Sequence, residues 1–277
     1  MPELPEVETV RKKLLTRLKN KKIKSVNIIY PNIFFGQDIE KIKENIKNQT
    51  INDIKRKGKW LIFELDDYYL LSHLRMEGKY LYRNIGEKIE KHEHVIFNIN
   101  DEFELRYKDT RKFGRMYLVD KTKINESPLK DVGPDPWDEK LTTKYLKEKY
   151  NNKKIPIKTA LLDQSIIAGI GNIYADEILF LSKIHPLRKC GSLNNKELES
   201  IIENTKKVLE KAIEEGGTTI RSYTSEEGVT GLFQNELYVH QREKEECRIC
   251  KTIIKKIRVG QRGTYYCEKC QINKDNN

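Results

Sequence analysis

The spacing of apolar residues changes along the chain. Val7, Val10 and Leu14 recur at helical spacing, which predicts a first helix from about residue 5 to residue 19. Apolar and aromatic residues then gather in short runs between polar or glycine-bearing turns: IKSVNII, TINDIKRKG, WLIFEL, YLLSHL, KYLYR, HVIFNI, FELRYK and GRMYLV. These eight strands, with no helix between them, indicate an antiparallel sandwich or barrel, and FNINDEFELRY predicts a hairpin at Asn100–Asp101.

A helical pattern returns beyond the segment DVGPDPWDEK. Gly133, Pro134 and Pro136 mark a boundary there. The chain is therefore predicted to be α+β, with an antiparallel β-sandwich and flanking helix, a helical domain and a small cysteine hairpin. We expect domains at 1–131, 132–240 and 241–277, and helices over 141–150, 157–162, 172–181 and 196–215, the last ending at Gly216–Gly217.

Charge narrows the range of partners. Lys and Arg number 53 against 42 Asp and Glu, which gives a net charge of +11 and favours a polyanionic partner such as nucleic acid or an anionic membrane surface. No apolar run approaches the ~20 residues needed to span a bilayer, and the start of the chain lacks the apolar segment of a signal peptide. We therefore expect a cytosolic protein that binds an anionic partner.

Four of the five cysteines follow the spacing C-x2-C-x16-C-x2-C. Two close pairs of this kind can surround one structural Zn²⁺ with four thiolates, and a cluster of free thiols is the alternative. The intervening residues predict a β-hairpin with Gln261 and Arg262 at its tip, on a basic surface suited to phosphates. Cys190 stands apart, with no role expected. The predicted ligands are Cys247, Cys250, Cys267 and Cys270.

The first residues, MPELPEVE, allow two interpretations. Acidic residues in a first helical turn complement the positive end of the helix dipole. Alternatively, removal of Met1 would make Pro2 the amino terminus, a secondary amine beside the carboxylate of Glu3. Taken alone, these residues favour the first interpretation.

Six motifs together resemble the bacterial formamidopyrimidine-DNA glycosylases: PELPEVE, KGKWL, SHLRMEG, DTRKFG, AGIGNIYADEILF and GQRGTYYCEKC. The resemblance runs from residue 2 to about residue 271. It implies a base-excision repair enzyme with an N-terminal β-sandwich, a helix-two-turns-helix domain and a C-terminal zinc finger, in agreement with the organisation predicted above. It also reverses the interpretation of the chain start.

The resemblance implies a catalytic set. A free α-amine has a pKa near 8, so part of it is nucleophilic at neutral pH. Pro2 matches the family nucleophile that attacks C1′ of the damaged nucleoside, and Glu3 matches the acid that protonates the sugar ring oxygen. Lys59 matches the lysine that contacts a phosphate and aids β-elimination. Arg262 matches the arginine used on the phosphate during δ-elimination.

The resemblance also implies DNA contacts. Met76, Arg111 and Phe113 match the residues that fill the space left by the flipped nucleotide. Here the chain departs from the family, because Arg75 and Glu77 replace small residues and Thr110 replaces a proline; we expect a changed opposite-base preference. Further predicted DNA contacts are His73, His92, Lys153, Lys154, Lys158 and Asn172, and predicted lesion contacts are Glu6, Thr218, Thr219, Arg221 and Tyr223. A core role for His73 and a helix-terminal role for Glu6 are equal alternatives.

The predicted function is a bifunctional glycosylase and lyase that removes oxidised purines such as 8-oxoguanine and formamidopyrimidines. The alternatives are an endonuclease VIII-type enzyme for oxidised pyrimidines, a damaged-DNA-binding protein without catalytic activity, and a zinc-ribbon protein of transcription or translation, which leaves residues 1–240 unexplained. The expected partner is double-stranded DNA with oxidised bases or abasic sites, bound by a monomer at the nucleoid in the bacterial cytoplasm, without a membrane.

Overall fold

The computed structural model describes residues 1–218 and 231–276. Among these residues it has two compact units, one over 1–130 and the other over 131–218 and 231–276. The predicted boundary between a helical domain and a separate cysteine hairpin at 240/241 stays a prediction.

The first unit consists of two antiparallel sheets with two helices. The sheets have the orders β2-β1-β7-β8-β6 and β3-β4-β5-β9. Their inner faces share one apolar core, to which α1 and α2 contribute, so the predicted sandwich is confirmed. The elements are α1 (Leu4–Leu18), β1 (Lys21–Ile28), α2 (Ile39–Ile46), β2 (Thr50–Ile51), β3 (Asp53–Lys57), β4 (Trp60–Glu64), β5 (Tyr68–His73), β6 (Lys79–Arg83), β7 (Glu93–Ile99), β8 (Phe103–Lys108) and β9 (Arg115–Asp120).

Helix α2 corrects the prediction that no helix lies between the strands. Its first turn is capped by Asp38, whose carboxylate accepts the backbone N–H groups of Glu40 and Lys41 at 3.0 and 3.3 Å. Ile42 and Ile46 face the core. The signal was present as a capping residue before apolar positions at helical spacing, but the helix is short and neighbouring strand patterns obscured it.

The predicted hairpin at Asn100–Asp101 is present between β7 and β8. Both residues take positive φ, 55° and 57°, which short Asn and Asp side chains tolerate. The β-strands that flank it pair with Ile99 opposite Phe103. This turn fixes the register of the central strands of the larger sheet.

The second unit contains four helices and a two-stranded hairpin. The helices occupy the four predicted regions, with ends that differ by up to two residues. Within residues 1–218 and 231–276, no helix is both long and apolar enough to cross a membrane. The elements are α3 (Thr143–Tyr150), α4 (Ile157–Leu161), α5 (Asn172–Leu181), α6 (Asn195–Glu214), β10 (Lys255–Val259) and β11 (Arg262–Tyr266).

Candidate active site

Pro2 and Glu3 lie buried at the start of α1. Glu3 is the N-cap residue, and its backbone N–H donates to the Glu6 carboxylate at 2.8 Å in a capping box. Glu3 is only 3% exposed, whereas Met1 in front of it is 38% exposed. The structure thus gives Glu6 the helix-terminal role, which also fixes the backbone that carries Glu3. A contact between Glu6 and a lesion stays a prediction.

Lys59 occupies the two-residue turn between β3 and β4. Gly58 precedes it with φ +56°, at the turn position where a type II′ hairpin needs glycine. Arg56 donates to the Gly58 carbonyl at 2.9 Å and contacts the Glu8 carboxylate of α1 at 3.1 Å. Lys59 itself is 5% exposed. The turn is therefore tied to the helix that begins beside Pro2.

The Glu8 carboxylate joins α1 to the β3–β4 hairpin, a contact that the sequence analysis missed. Burial raises the pKa of its carboxyl group, but Arg11 and Arg56 outweigh burial, so the pKa lies below its usual value. Arg11 makes contacts of 2.7 to 3.0 Å with this carboxylate and also donates to the Ile54 carbonyl of β3 at 3.0 Å. The MPELPEVE motif contained Glu8, but its partner Arg56 is remote in sequence and carried no signal.

His73 is the last residue of β5, in the smaller sheet that also holds the turn of Lys59. Its ring packs edge-on against Trp60, with 4.8 Å between centroids, and its Nδ1 accepts the Arg75 backbone N–H at 3.0 Å. Burial, together with the charges of Arg75 and Lys59, lowers the pKa of His73 to about 3. The ring is therefore neutral at physiological pH and belongs to the folded core; a DNA contact stays a prediction.

Met76, Arg111 and Phe113 lie on two loops. Met76 is half-buried in the connection between β5 and β6, while Phe113 is 48% exposed in the connection between β8 and β9. The Arg111 guanidinium lies 4.9 Å from the centre of the Phe113 ring. Buried Asp109 shapes this second loop, because its carboxylate accepts the N–H groups of Arg111 at 3.0 Å and of Gly114 at 2.8 Å.

His92 lies beside the base of that second loop. It takes φ +74°, and its carbonyl accepts the Asp109 N–H at 3.0 Å. His94 is strand interior, as predicted, and its Nε2 contacts the Asp109 carbonyl at 2.9 Å. The position of His92 is compatible with the predicted DNA contact, which stays a prediction.

Lys158 lies inside the second unit and not on its surface, and a DNA contact by this residue stays a prediction. Its side chain is fully buried, its ammonium forms an ion pair with the buried Asp176 carboxylate, and it donates to the Asn172 carbonyl at 3.0 Å. The other Asp176 oxygen lies 2.7 Å from Nδ1 of His240. A cation spacing alone could not reveal that a lysine is neutralised inside a helical core. Lys153 and Lys154, by contrast, are exposed and available to an anionic ligand.

Asn172 connects α5 to the cysteine hairpin. Its side-chain amide donates to the Gly263 carbonyl at 3.1 Å, directly beyond Arg262. Arg262 is exposed at the start of β11, after a turn in which Gly260 takes φ +57°. The arrangement supports the hairpin tip from below and leaves the guanidinium of Arg262 accessible.

Glu177 holds the segment that leads into the cysteines. Its carboxylate accepts the backbone N–H groups of Tyr238, Val239 and His240 at 2.7, 3.0 and 2.9 Å. Burial raises the pKa of this carboxyl group despite those bonds. The sequence analysis missed Glu177, although two adjacent acidic residues in the otherwise apolar segment YADEILF were a signal of buried polar contacts.

The four predicted metal ligands converge. Their sulfur atoms all lie within 4.8 Å of one another, with Cys250 and Cys267 at 3.4 Å and Cys247 and Cys270 at 3.9 Å. Thiolates bound tetrahedrally at 2.3 Å would be separated by about 3.8 Å. The quartet therefore fits a metal ion, and the cluster is a metal-binding site.

The predicted lesion contacts fall in two groups. Thr218 is buried and forms an isolated β-bridge with Leu232. Thr219, Arg221 and Tyr223 lie outside the described residues. A lesion contact by any of the four stays a prediction.

Three family models match consecutive parts of the chain. Residues 1–116 match the formamidopyrimidine-DNA glycosylase N-terminal domain. Residues 132–224 match the formamidopyrimidine-DNA glycosylase H2TH domain, and residues 244–272 match a zinc finger found in FPG and IleRS.

Whole-chain comparisons give the same family. A formamidopyrimidine-DNA glycosylase of Oceanobacillus iheyensis is 47% identical over 276 residues, covering 99% of both chains, and that of Bacillus subtilis is 45% identical over 99% of this chain and 100% of its own. A Lactococcus lactis FPG mutant in complex with a Fapy-dG containing DNA superimposes with a TM-score of 0.92 at 40% identity, covering 98% of this chain and 100% of that one.

Proposed function

Because this chain belongs to the formamidopyrimidine-DNA glycosylase family, we propose that it is a base-excision repair enzyme that removes oxidised purines from double-stranded DNA and cleaves the strand at the resulting abasic site. The relatives of this name, and the Lactococcus lactis protein bound to Fapy-dG DNA, support the substrate class. The observation that carries the proposal is the buried Pro2–Glu3 pair at the start of α1, in the same sheet-and-helix unit as the turn of Lys59. We further propose that it acts in the bacterial cytoplasm.

The first step is nucleophilic attack by Pro2, once Met1 has been removed. The secondary amine forms a bond to C1′ while the bond from C1′ to the base nitrogen breaks, and the base leaves after protonation. Glu3 donates a proton to the sugar ring oxygen as the ring opens, which leaves an iminium between Pro2 and C1′. The burial of Glu3 limits competition from water at that proton transfer.

Strand cleavage follows from the acidity of the iminium. Loss of a C2′ proton expels the 3′ phosphate, and loss of the C4′ proton then expels the 5′ phosphate. Water finally hydrolyses the bond between Pro2 and C1′, which frees the amine of Pro2. Lys59 is proposed to contact the phosphate of the first step, and Arg262 that of the second, for which its forked guanidinium suits two phosphate oxygens. The exposed position of Arg262 at the hairpin tip is compatible with this role.

Recognition of the damaged nucleotide is proposed to use the two loops of the first unit, the connections β5–β6 and β8–β9. Met76, Arg111 and Phe113 would occupy the space left when the damaged nucleotide is extruded. The exposure of Phe113 and the guanidinium stacked on its ring support an aromatic wedge with a hydrogen-bonding partner for the opposite base. The cationic surface of the chain supports steep salt dependence of DNA binding.

The metal of the cysteine site is proposed to be Zn²⁺. Cys247, Cys250, Cys267 and Cys270 would hold it as four thiolates, the donor set typical of closed structural zinc sites. Its chemistry there is structural, because a closed four-sulfur site leaves no position for substrate. The chain's own contribution is to orient the hairpin that presents Arg262.

Borohydride trapping tests the proposal directly. Borohydride reduces an iminium to a stable amine, so protein processed to begin at Pro2 should form a covalent adduct with duplexes carrying 8-oxoguanine opposite cytosine or an abasic site. The matched control is the same protein with an uncleaved N-terminal extension, in which Pro2 is an amide nitrogen. The control should bind DNA and form no adduct.

The lesion series decides the substrate class. Faster adduct formation with 8-oxoguanine than with an oxidised pyrimidine would support the purine enzyme, and the reverse order would replace it with the endonuclease VIII-type activity. Absence of adducts with every duplex, from protein confirmed to begin at Pro2, would overturn the catalytic proposal and leave a damaged-DNA-binding protein.

A further inference from the structure

Two glycines enclose the hydroxyl group of one buried tyrosine. Tyr107 is fully buried in β8, and a β-carbon placed on either Gly78 or Gly114 would lie well inside 3.0 Å of its Oη atom, closer than real Cβ contacts come. The β-carbon on Gly78 would also meet the Leu74 carbonyl oxygen at 2.6 Å. Only glycine therefore fits at both positions while the tyrosine hydroxyl stays in place.

Each glycine closes one of the two loops described above. Gly78 ends the loop from β5 to β6 that carries Met76, and its N–H donates to the Leu74 carbonyl at 3.0 Å. Gly114 ends the loop from β8 to β9 that carries Arg111 and Phe113, and its N–H donates to Asp109. The Tyr107 hydroxyl is thus a shared contact at the base of both loops.

Topology explains why the two loops meet. Strands β5 and β9 pair in the smaller sheet, with His73 opposite Arg115, and strands β6 and β8 pair in the larger sheet, with Lys79 opposite Lys108. The two connections therefore cross between the sheets side by side, in opposite directions. A side chain near the end of β8 can contact both connections, and that side chain is Tyr107.

The loop tips themselves contain residues of strained backbone. Arg75 takes φ +55° in the first loop, and Lys112 takes φ +57° in the second. Outside glycine such conformations persist when surrounding contacts determine them. Below the tips, the ring of Tyr107 is fixed by edge-on packing against Tyr80, with 5.3 Å between centroids.

We propose that Tyr107 is a positioning residue that sets the distance between Met76 on one loop and Arg111 and Phe113 on the other, so that the two loops enter the duplex as one unit. The inference rests on the proposed function, because it assumes that these three side chains fill the space of the extruded nucleotide. Its distinct content is that a hydroxyl group with no DNA contact controls extrusion and the reading of the opposite base.

The test is Tyr107→Phe, which removes only the shared oxygen atom. The matched control is Tyr80→Phe, which removes a hydroxyl from the adjacent ring. That hydroxyl donates to Ser72 at 2.8 Å and is not among the three atoms nearest to a β-carbon placed on either loop glycine. Thermal unfolding of both variants shows whether each is folded. Two single-turnover rates are then compared, excision of 8-oxoguanine from a duplex and cleavage of a preformed abasic site in single-stranded DNA, where no partner strand has to be probed.

We expect Tyr107→Phe to slow duplex excision about tenfold or more and to narrow the discrimination between cytosine and adenine opposite the lesion, because small displacements of positioned groups have effects of this size. Cleavage of the single-stranded abasic site should stay near the wild-type rate. Tyr80→Phe should leave the ratio of the two rates unchanged. Equal slowing of both rates by Tyr107→Phe, or duplex excision at the wild-type rate, would overturn the proposal.

A double-mutant cycle separates positioning from general stability. If Tyr107 acts through Met76, the effect of Tyr107→Phe on duplex excision should largely disappear in a Met76→Ala background. Additive effects would contradict the inference. Failure of the wild-type protein to excise 8-oxoguanine would instead contradict the proposed function, so the two failures are distinguishable.

Discussion

The proposed catalytic residues lie in two regions of different construction. Pro2, Glu3 and Lys59 are embedded in a unit with an extensive apolar core shared by two sheets and two helices. Arg262 is carried by a two-stranded hairpin beside a small apolar cluster that comprises, among the described residues, the buried side chains of Phe180, Val239, Cys247, Ile254 and Cys267. Two of those five residues are proposed metal ligands, so the geometry of the hairpin depends on coordination where that of the first unit depends on apolar burial.

The dependence of the hairpin on metal and of the first unit on apolar burial follows from the size of each region. An isolated two-stranded hairpin is marginally stable in water, and very small folding units commonly need a metal or disulfide. The first unit has enough buried surface to fix its active-site corner without one. The two regions should therefore respond differently to the same perturbation.

Metal removal should separate the regions most strongly. Structural zinc sites of this kind contribute about 10–16 kcal/mol of apparent binding free energy, so chelation or Cys250→Ser should unfold the hairpin. Hydrogen exchange should become fast over 255–266 and stay slow over 93–108. Cys190→Ser, which changes a cysteine outside the cluster, is the control and should retain both protection and metal content. Concerted loss of protection in both regions would contradict the comparison.

Replacement of the proposed acid should affect only the chemistry of the first region. Glu3→Gln keeps the shape of the side chain but removes its proton-transfer function, which is expected to slow base excision by about 10²–10⁴-fold. Single-turnover excision and metal content are the measurements, and metal content should not change. Activity within a factor of two of the wild type, a margin of about 0.4 kcal/mol, would remove Glu3 from the mechanism.

The buried ion pair behind the hairpin offers a third test. Lys158→Met leaves the Asp176 carboxylate without its buried ammonium partner, and we expect a loss of about 3 kcal/mol in unfolding free energy. Lys154→Met changes an exposed lysine of the same region and should stay within about 0.5 kcal/mol of the wild type. Urea unfolding measures both. A stable Lys158→Met variant with weakened DNA binding would contradict the structural role of the ion pair and support the predicted DNA contact instead.

Acid should weaken the first region through His73. Its pKa is about 3 in the folded protein, below the unfolded value near 6.5, so the unfolded chain binds a proton that the folded chain excludes. The stabilising contribution is complete above about pH 6.5, and it falls by about 1 kcal/mol per pH unit as the pH drops towards 4. His73→Asn should remove this part of the slope. Unfolding at several pH values, with wild type and variant compared at each, isolates it from metal release.

The sequence predicted what local patterns encode. The C-x2-C spacing identified the metal cluster, and apolar periodicity placed α5 at residues 172–181 and the strands of the sandwich. It did not reveal partners set by tertiary packing. Lys158 looked like any surface cation, and its neutralisation by Asp176 required the helices to be assembled. Tyr107 resembled an ordinary strand aromatic, because its two glycine neighbours come from loops that only the sheet topology brings together.

The Glu8 carboxylate is shared by Arg11 and Arg56, which restricts the substitutions that all three positions can accept. Removal of the acid would leave two guanidinium groups of low exposure without their counter-ion, and removal of Arg56 would release the turn that carries Lys59. We therefore expect single changes at these positions to cost more unfolding free energy than a coordinated exchange of all three. We expect the trio to be inherited as a block, and the first helix and the lysine turn to evolve as one module.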